Sequence, residues 1–301
     1  MQTNKYRLVF QLLRFKQYVK NLFCFLPVFF AGKMTDGSVV LASFHVFLAF
    51  CLAASAIYIL NDFLDREEDR AHPIKKNRPL ASGDISYSKA LGIAVCLALT
   101  ACGLAYFLSG PAILSVILAY IAINIAYSFF AKKISIVDIT CIAAGFVLRV
   151  VGGSLVVAQT TSPWLVLQTF LLCMVLGLGK RWDDIRLSKD GRLKGTARAS
   201  LSGYSEQFVT VGISFFATIS CVCYIIYTVS QHTQEHYQSE YVYLTSFWVI
   251  MGMARYLQIM LVYYKSGSPT DILLRDRFIL LTIVGWCAHL GLLLYWSHLL
   301  G

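Results

Sequence analysis

Charge is scarce in this sequence. Only 14% of its 301 residues are Asp, Glu, Lys or Arg, against about 25% in an ordinary soluble domain. Hydrophobic residues make up 57% and the mean hydropathy is +0.65. A water-soluble enzyme and a disordered chain are both excluded, and no stretch reads as a soluble domain. No 20–50-residue repeat and no nucleic-acid module is visible, so the net charge of +10 is not read as a nucleic-acid surface. The nine cysteines lack zinc-ligand spacing and sit mostly in apolar runs, as small buried hydrophobes. No catalytic His or Cys dyad stands out. The basic N-terminus before the apolar stretch 22–30 has no small-residue cleavage site, so it reads as retained.

What is present is a series of apolar runs. A membrane helix needs about 20 mostly apolar residues, and nine candidates meet or approach that length: 18–32, 39–61, 89–108, 111–130, 135–158, 163–180, 206–229, 241–264 and 278–300. The first is the weakest, an amphipathic stretch broken near Pro27. The expected fold is an all-α integral membrane protein of nine helices, forming one domain over 1–301. In that nine-span arrangement 23 of the 26 Lys and Arg fall on one side. The opposite side holds Lys33 alone, while Arg149 and Arg255 fall inside spans. Cations gather on the cytoplasmic face, which puts the N-terminus and the long loops inside, in a multi-pass protein of a bacterial-type plasma (inner) membrane.

Five of the 16 acidic residues crowd into Asn61-Asp62-Phe63-Leu64-Asp65-Arg66-Glu67-Glu68-Asp69, where the second span ends. At roughly 100° per residue, Asn61, Asp62, Asp65 and Asp69 share about 100° of a helix's circumference, and Glu67 points away. Carboxylates so placed repel unless a cation lies between them. Hard oxygen ligands at this density suit Mg²⁺, held by one or two carboxylates plus substrate phosphates. The plainer reading is a solvated helix end with ion pairs to Arg66 and Arg70. A basic, breaker-rich loop follows, His72 to Gly83. Its Lys75 and Arg78 suit phosphate oxygens beside such a metal, and His72 is a weaker phosphate contact.

Asp138, Gly145, Arg149 and Gly152 form one stripe of the fifth span. A charge inside a span costs roughly 2.5–3.5 kcal/mol on insertion scales. Asp138 and Arg149 lie about 16 Å apart along a helix and cannot pair, so Arg149 is expected to meet another anion, a lipid or sugar phosphate. Arg255 poses the same question. Asn124, Tyr127 and Ser128 share a helix face, where Tyr127 could meet a substrate hydroxyl or simply a neighbouring helix.

These residues carry a resemblance. Asn61-Asp62-x-x-Asp65-x-x-x-Asp69 with Arg78-Pro79-Leu80-Ala81-Ser82-Gly83 resembles the first aspartate-rich motif of the UbiA prenyltransferase superfamily. The form His72-Pro73-Ile74-Lys75 resembles its branch of decaprenyl-phosphate phosphoribosyltransferases. So do Lys16-Gln17-Tyr18-Val19-Lys20-Asn21, Tyr127-Ser128 to Lys132, Val137-Asp138, Gly145 to Arg149, Gly179-Lys180-Arg181 with Asp184, Arg255-Tyr256, and Ser268-Pro269 to Asp276-Arg277. Two departures stand against it. Arg14-Phe15 replaces a usual Arg-Pro, and Asp183-Asp184 are adjacent where prenylating members have Asp-x-x-x-Asp.

The resemblance implies nine helices around a central cavity open to the cytoplasm. It also implies Mg²⁺-dependent transfer of a 5-phosphoribosyl group from phosphoribosyl diphosphate to a polyprenyl phosphate, for cell-envelope glycan precursors. Asn61, Asp62, Asp65 and Asp69 are then the metal and catalytic residues. Lys20, His72, Lys75, Arg78, Tyr127, Lys132, Asp138, Arg149, Lys180, Arg181, Asp184 and Arg255 are the substrate-binding set. Partners are these two substrates and membrane lipids, no nucleic acid, and a homo-oligomer is left open. The alternatives are an aromatic or quinone prenyltransferase using a polyprenyl diphosphate, and a non-catalytic lipid carrier or transporter.

Overall fold

A computed structural model of the chain describes residues 5–71, 75–157, 161–189, 199–263, 272 and 275–300. Every regular element among them is helical. Among the described residues eight helices are long and apolar enough to cross a membrane: α1 Gly37–Leu64, α2 Tyr87–Ser109, α3 Pro111–Phe129, α4 Val137–Val156, α5 Pro163–Lys189, α6 Glu206–Val229, α7 Ser246–Leu261 (led in by the 3-10 turn Glu240–Thr245) and α8 Arg277–Leu300.

The expected ninth, 18–32, is not one long helix. Phe15–Phe25 form a 3-10 helix and Leu26–Phe30 a short α-helix. Pro27 has no N–H to donate and is tolerated only in a helix's first turn, so the helix begins at Leu26. Upstream, Lys16, Gln17, Lys20 and Asn21 interrupt the apolar run.

The chain divides into two compact units, Met1–Ser162 with Ser188–Gly203, and Pro163–Leu187 with Tyr204–Gly301. In the first unit α1 is the central helix: 56% of its apolar window is buried, against 17% for α2. Asp36 starts α1 by accepting from the Ser38 and Val39 amides at 2.9 and 3.3 Å. Buried Ala90, Ala94, Ala101 and Ala105 bring α2 close to it. The N-terminal segment is tied down as a strap. Ser55 donates to the Leu13 carbonyl at 2.8 Å, Tyr18 and Ser55 hydroxyls meet at 2.9 Å, and the Cys24 carbonyl lies against Gly153, where a Cβ would collide.

In the second unit a buried polar network joins α6, α7 and α8. Trp286 donates to the Tyr224 hydroxyl at 2.7 Å, which also meets Thr245 at 2.9 Å. Close approaches need small residues here as well: Gly179 of α5 accepts the Tyr256 ring end, and Gly285 the Trp248 ring. The cysteines are less uniformly buried than expected. Cys24, Cys51 and Cys173 are buried, but Cys96 and Cys287 are exposed on apolar helix faces.

Candidate active site

The acidic cluster begins where α1 runs out. α1 ends at Leu64, Asp65 leaves helical geometry at φ −91° and ψ 4°, and a short helix resumes over Arg66–Ala71. The ladder nevertheless continues, from the Asp65 amide to the Asn61 carbonyl at 2.9 Å and from Asp69 to Asp65 at 2.8 Å. That continuity keeps Asp62 and Asp69 on one face, and both are nearly sealed, 3% and 2% exposed.

The downstream loop is shaped by its own punctuation. Pro79 stands at the first position of the helix Pro79–Ser82 and holds Arg78 extended, at φ −70° and ψ 143°. Gly83 ends that helix at φ +84°, a conformation that favours glycine. Pro79, Leu80 and Ala81 are buried and anchor the turn. Arg78 is thereby aimed back at the acids. Its Nη1 donates to Asp62 Oδ1 at 2.9 Å and to Asp69 Oδ2 at 2.6 Å. Lys75 Nζ stands 3.9 Å from Asp69.

Two further cations arrive from elsewhere in the chain. Arg14 donates to Asp62, and Lys132, on the 3-10 turn after α3, donates to Asp65. Asp65 also accepts from Asn61 Nδ2 at 3.0 Å. The four expected ligands therefore split: Asp62 and Asp69 share Arg78, while Asp65 turns with Asn61 toward Lys132. Arg66 and Arg70 do not neutralise the aspartates through the contacts that define them. Arg66 donates to the Phe63 carbonyl at 2.7 Å, and Arg70 binds Glu67, the Ala81 carbonyl and the Tyr87 hydroxyl.

Arg14 is the residue that sequence reasoning missed. It sits in left-handed backbone, φ 53° and ψ 46°, between two helical segments, with its guanidinium over the Tyr58 ring at 4.9 Å. Left-handed geometry costs a non-glycine residue about 1 kcal/mol or more. Among the described residues three non-glycine residues have positive φ: Arg14, Ile136 and Gln238. Arg14 contacts the cluster itself and Ile136 lies on the loop after Lys132, the placement expected of strain held at a functional site.

A divalent cation suits this donor set. One guanidinium nitrogen already stands between two carboxylate oxygens, so Asp62 and Asp69 are the side chains that would hold such an ion. Among the described residues no three His, Cys, Asp or Glu side chains converge to hold a metal by themselves. The remaining ligands would come from phosphate and water, the manner in which Mg²⁺ is commonly held.

The other expected residues are distributed more widely. Lys20 is half-buried on the 3-10 strap, Tyr127 half-buried on α3, and His72 lies outside the described residues. Asn124 and Ser128 bond to their own helix's carbonyls. Asp138 is buried at the start of α4 and accepts from the Ile139 amide at 2.9 Å.

Arg149 is 4% exposed, and its guanidinium donates to neutral acceptors of the protein: Asn21 Oδ1 at 2.7 Å, the Gly145 carbonyl at 2.7 Å and the Tyr120 hydroxyl at 3.1 Å. The rings of Tyr120, Phe146 and Phe50 lie 4.7, 5.2 and 5.5 Å from it. Cation–π attraction in an apolar setting supplies what a counter-ion would, so Arg149 ties the strap to α4.

In the second unit, Lys180 is exposed on α5, while Arg181 is fully buried and donates to Asp184 at 3.0 Å. Arg255 is engaged by Asp276, Nη2 to Oδ2 at 2.9 Å, and by Gln258 at 2.7 Å. Asp276 also caps α8 through the Phe278 and Ile279 amides. The Tyr256 hydroxyl is buried against Gly179 with no hydrogen-bond partner among the described residues.

A family model described as the UbiA prenyltransferase family matches residues 21–268. A decaprenyl-phosphate phosphoribosyltransferase of Mycolicibacterium smegmatis is 29% identical over 296 residues, covering 95% of this chain and 92% of that protein. Its counterpart in Mycobacterium tuberculosis is 30% identical over 298 residues, covering 94% and 93%. Among solved structures, a UbiA homolog from Archaeoglobus fulgidus bound to GPP and Mg²⁺ superposes with a TM-score of 0.70 at 17% identity, over 96% of this chain and 98% of that one. With the aspartates and the Arg-Pro-Leu-Ala-Ser-Gly turn in place and the match running across both units, this chain is a membrane transferase belonging to the UbiA prenyltransferase family.

Proposed function

We propose that this protein transfers a 5-phosphoribosyl group from phosphoribosyl diphosphate to a polyprenyl phosphate and releases diphosphate. The observation that carries the reading is the near full-length similarity to proteins named decaprenyl-phosphate phosphoribosyltransferase. The first unit supplies a cluster of matching chemistry. Asp62 and Asp69 hold a divalent ion, Mg²⁺ by its hard-oxygen preference, with Asp65 and Asn61 beside it. A divalent ion there supplies charge neutralisation on the departing diphosphate. Arg78, Lys75 and Lys132 take phosphate oxygens, as cations on flexible or forked stems do well.

The ribose C1–oxygen bond breaks toward the diphosphate, and an oxygen of the acceptor phosphate bonds C1. A phosphomonoester's second pKa is near 6, so the acceptor is already an anion at neutral pH and no strong general base is required. Lys20, Tyr127, Asp138 and Lys180 remain substrate-contact proposals, each to be tested by alanine replacement. The soluble donor is met from the cytoplasm, as the distribution of Lys and Arg supports.

The test uses purified protein in lipid nanodiscs with ribose-labelled phosphoribosyl diphosphate, polyprenyl phosphate and Mg²⁺. Label is expected in the lipid fraction with one diphosphate released per transfer, and chelator abolishes it. Prenyl transfer to an aromatic acid without labelled lipid overturns the proposal in favour of an aromatic prenyltransferase. No turnover with either substrate pair points to a carrier.

A further inference from the structure

The cluster of the first unit carries its own neutralisation. Three carboxylates, Asp62, Asp65 and Asp69, meet four cations, Arg14, Arg78, Lys75 and Lys132. Two of the carboxylates are almost fully buried. A divalent cation entering alone adds two positive charges to a group that already has a positive excess, in a partly desolvated place where such charges interact strongly. Entering with a diphosphate, it brings an anion large enough to take those cations off the carboxylates.

We propose that this site binds a divalent cation and a diphosphate synergistically, and that Arg14 is a gating residue for that coupling. With diphosphate absent, Arg14 neutralises Asp62 and opposes the metal. With diphosphate present, its guanidinium passes to a phosphate oxygen and favours the metal. Arg14 suits the task because its strap is fixed independently of the acids, by Ser55 on the Leu13 carbonyl and by Tyr18 on Ser55. The cation is held at the cluster whether or not Asp62 needs it. The inference rests on the proposed reading only in taking diphosphate as part of a substrate.

The experiment is calorimetric titration of the full chain in nanodiscs with Mg²⁺ or Mn²⁺, without and with inorganic diphosphate. In the natural protein, diphosphate is expected to tighten the metal's Kd by at least 10-fold, within the range usual for coupled sites. Arg14→Asn removes the charge with a residue that tolerates left-handed backbone. It is expected to tighten metal binding without diphosphate by about 3-fold or more and to weaken it with diphosphate, so the coupling shrinks from both ends. Arg14→Lys keeps the charge and should keep the sign of the coupling. A thermal melt accompanies each variant, and a merely structural residue would weaken both titrations alike. Metal binding to the natural protein that is equally tight without diphosphate overturns the proposal, as does an Arg14→Asn change of one sign in both titrations. Phosphoribosyl transfer without coupling sinks this inference alone, whereas coupling without phosphoribosyl transfer sinks the functional reading alone.

Discussion

The aspartate cluster of the first unit and the Asp184 pair of the second are neutralised in opposite ways. In the first, Asp62, Asp65 and Asp69 are met by cations from distant sequence: Arg14 lies 48 residues from Asp62, and Lys132 lies 67 from Asp65. In the second, Asp184 is met by Arg181 three residues away on the same helix. Asp184 is held by the buried Arg181 one turn before it on α5, so this acid is engaged within its own helix. A local pair of this kind supports its own helix at little cost in loop ordering. A cluster drawn from three separate segments has to be ordered against chain entropy, which makes sense where the assembled charges act on a ligand.

The largest effect should separate these two arrangements. Asp62→Ala leaves Arg14 and Arg78 facing a buried void, and breaking a buried pair this way costs roughly 3–5 kcal/mol. Asp62→Asn keeps the shape and tests the charge alone. Transfer is expected to fall by about 10²–10³-fold, the scale of losing one electrostatic stabiliser. Asp184→Asn keeps an oxygen for the fully buried Arg181 and should cost less than about 10-fold in the same assay, but it should lower the melting temperature, because a buried guanidinium loses its charged partner. Equal losses at the two positions would break the comparison.

Packing gives the next test. A Cβ at Gly153 meets the Cys24 carbonyl, which belongs to backbone, whereas a Cβ at Gly179 meets the tip of the Tyr256 side chain. Both alanine variants should destabilise, by about 1–3 kcal/mol for overpacking and more where backbone must move. Only Gly179→Ala should be rescued by a second change, Tyr256→Phe, in a double-mutant cycle read by chemical unfolding. Tyr256→Phe alone should be neutral or stabilising, because it removes a buried hydroxyl whose desolvation costs about 1–3 kcal/mol. A loss of stability in Tyr256→Phe would mean that the hydroxyl is satisfied after all.

Much of this was legible in the sequence, for reasons that are local. Asp62 and Asp69 follow from helical spacing alone. Arg78 follows from its punctuation, a proline that extends it and a glycine that ends the next turn. The spans follow from length and apolarity, except 18–32, where Pro27 and the pair Lys20 and Asn21 divide what hydropathy averages together. The rest depended on distant partners. Arg149 looks like a cation awaiting an anion, and nothing near it reveals Asn21, 128 residues away, or the rings of Tyr120 and Phe50. Arg14 is one of five basic residues before residue 21, and only the strap's ties to Ser55 single it out. Asp65 shares the acids' face on a helical wheel, but α1 breaks at that residue and Lys132 draws it aside.

The smallest effect concerns two helix-capping acids, one in each unit. Asp36 starts α1 with Ser38 and two amides. Asp276 starts α8 with two amides and has Arg255 in addition. Both carboxyls are held below the usual range, Asp36 chiefly by the Ser38 hydroxyl and Asp276 chiefly by Arg255. A depressed carboxylate adds stability that is present above its unfolded pKa, near 3.9, and is lost as pH falls through the folded value. Replacing either by Asn, itself a good cap, should therefore lower melting by a small amount that is largest near neutrality. The gap between natural protein and variant should close below about pH 4. Salt distinguishes the two caps. The Arg255 contribution to Asp276 is a partly exposed ion pair and should weaken as ionic strength rises, whereas hydroxyl and amide bonds at Asp36 should not. A melting series at low and high salt, run for Asp36→Asn and Asp276→Asn, should show salt dependence in the second alone.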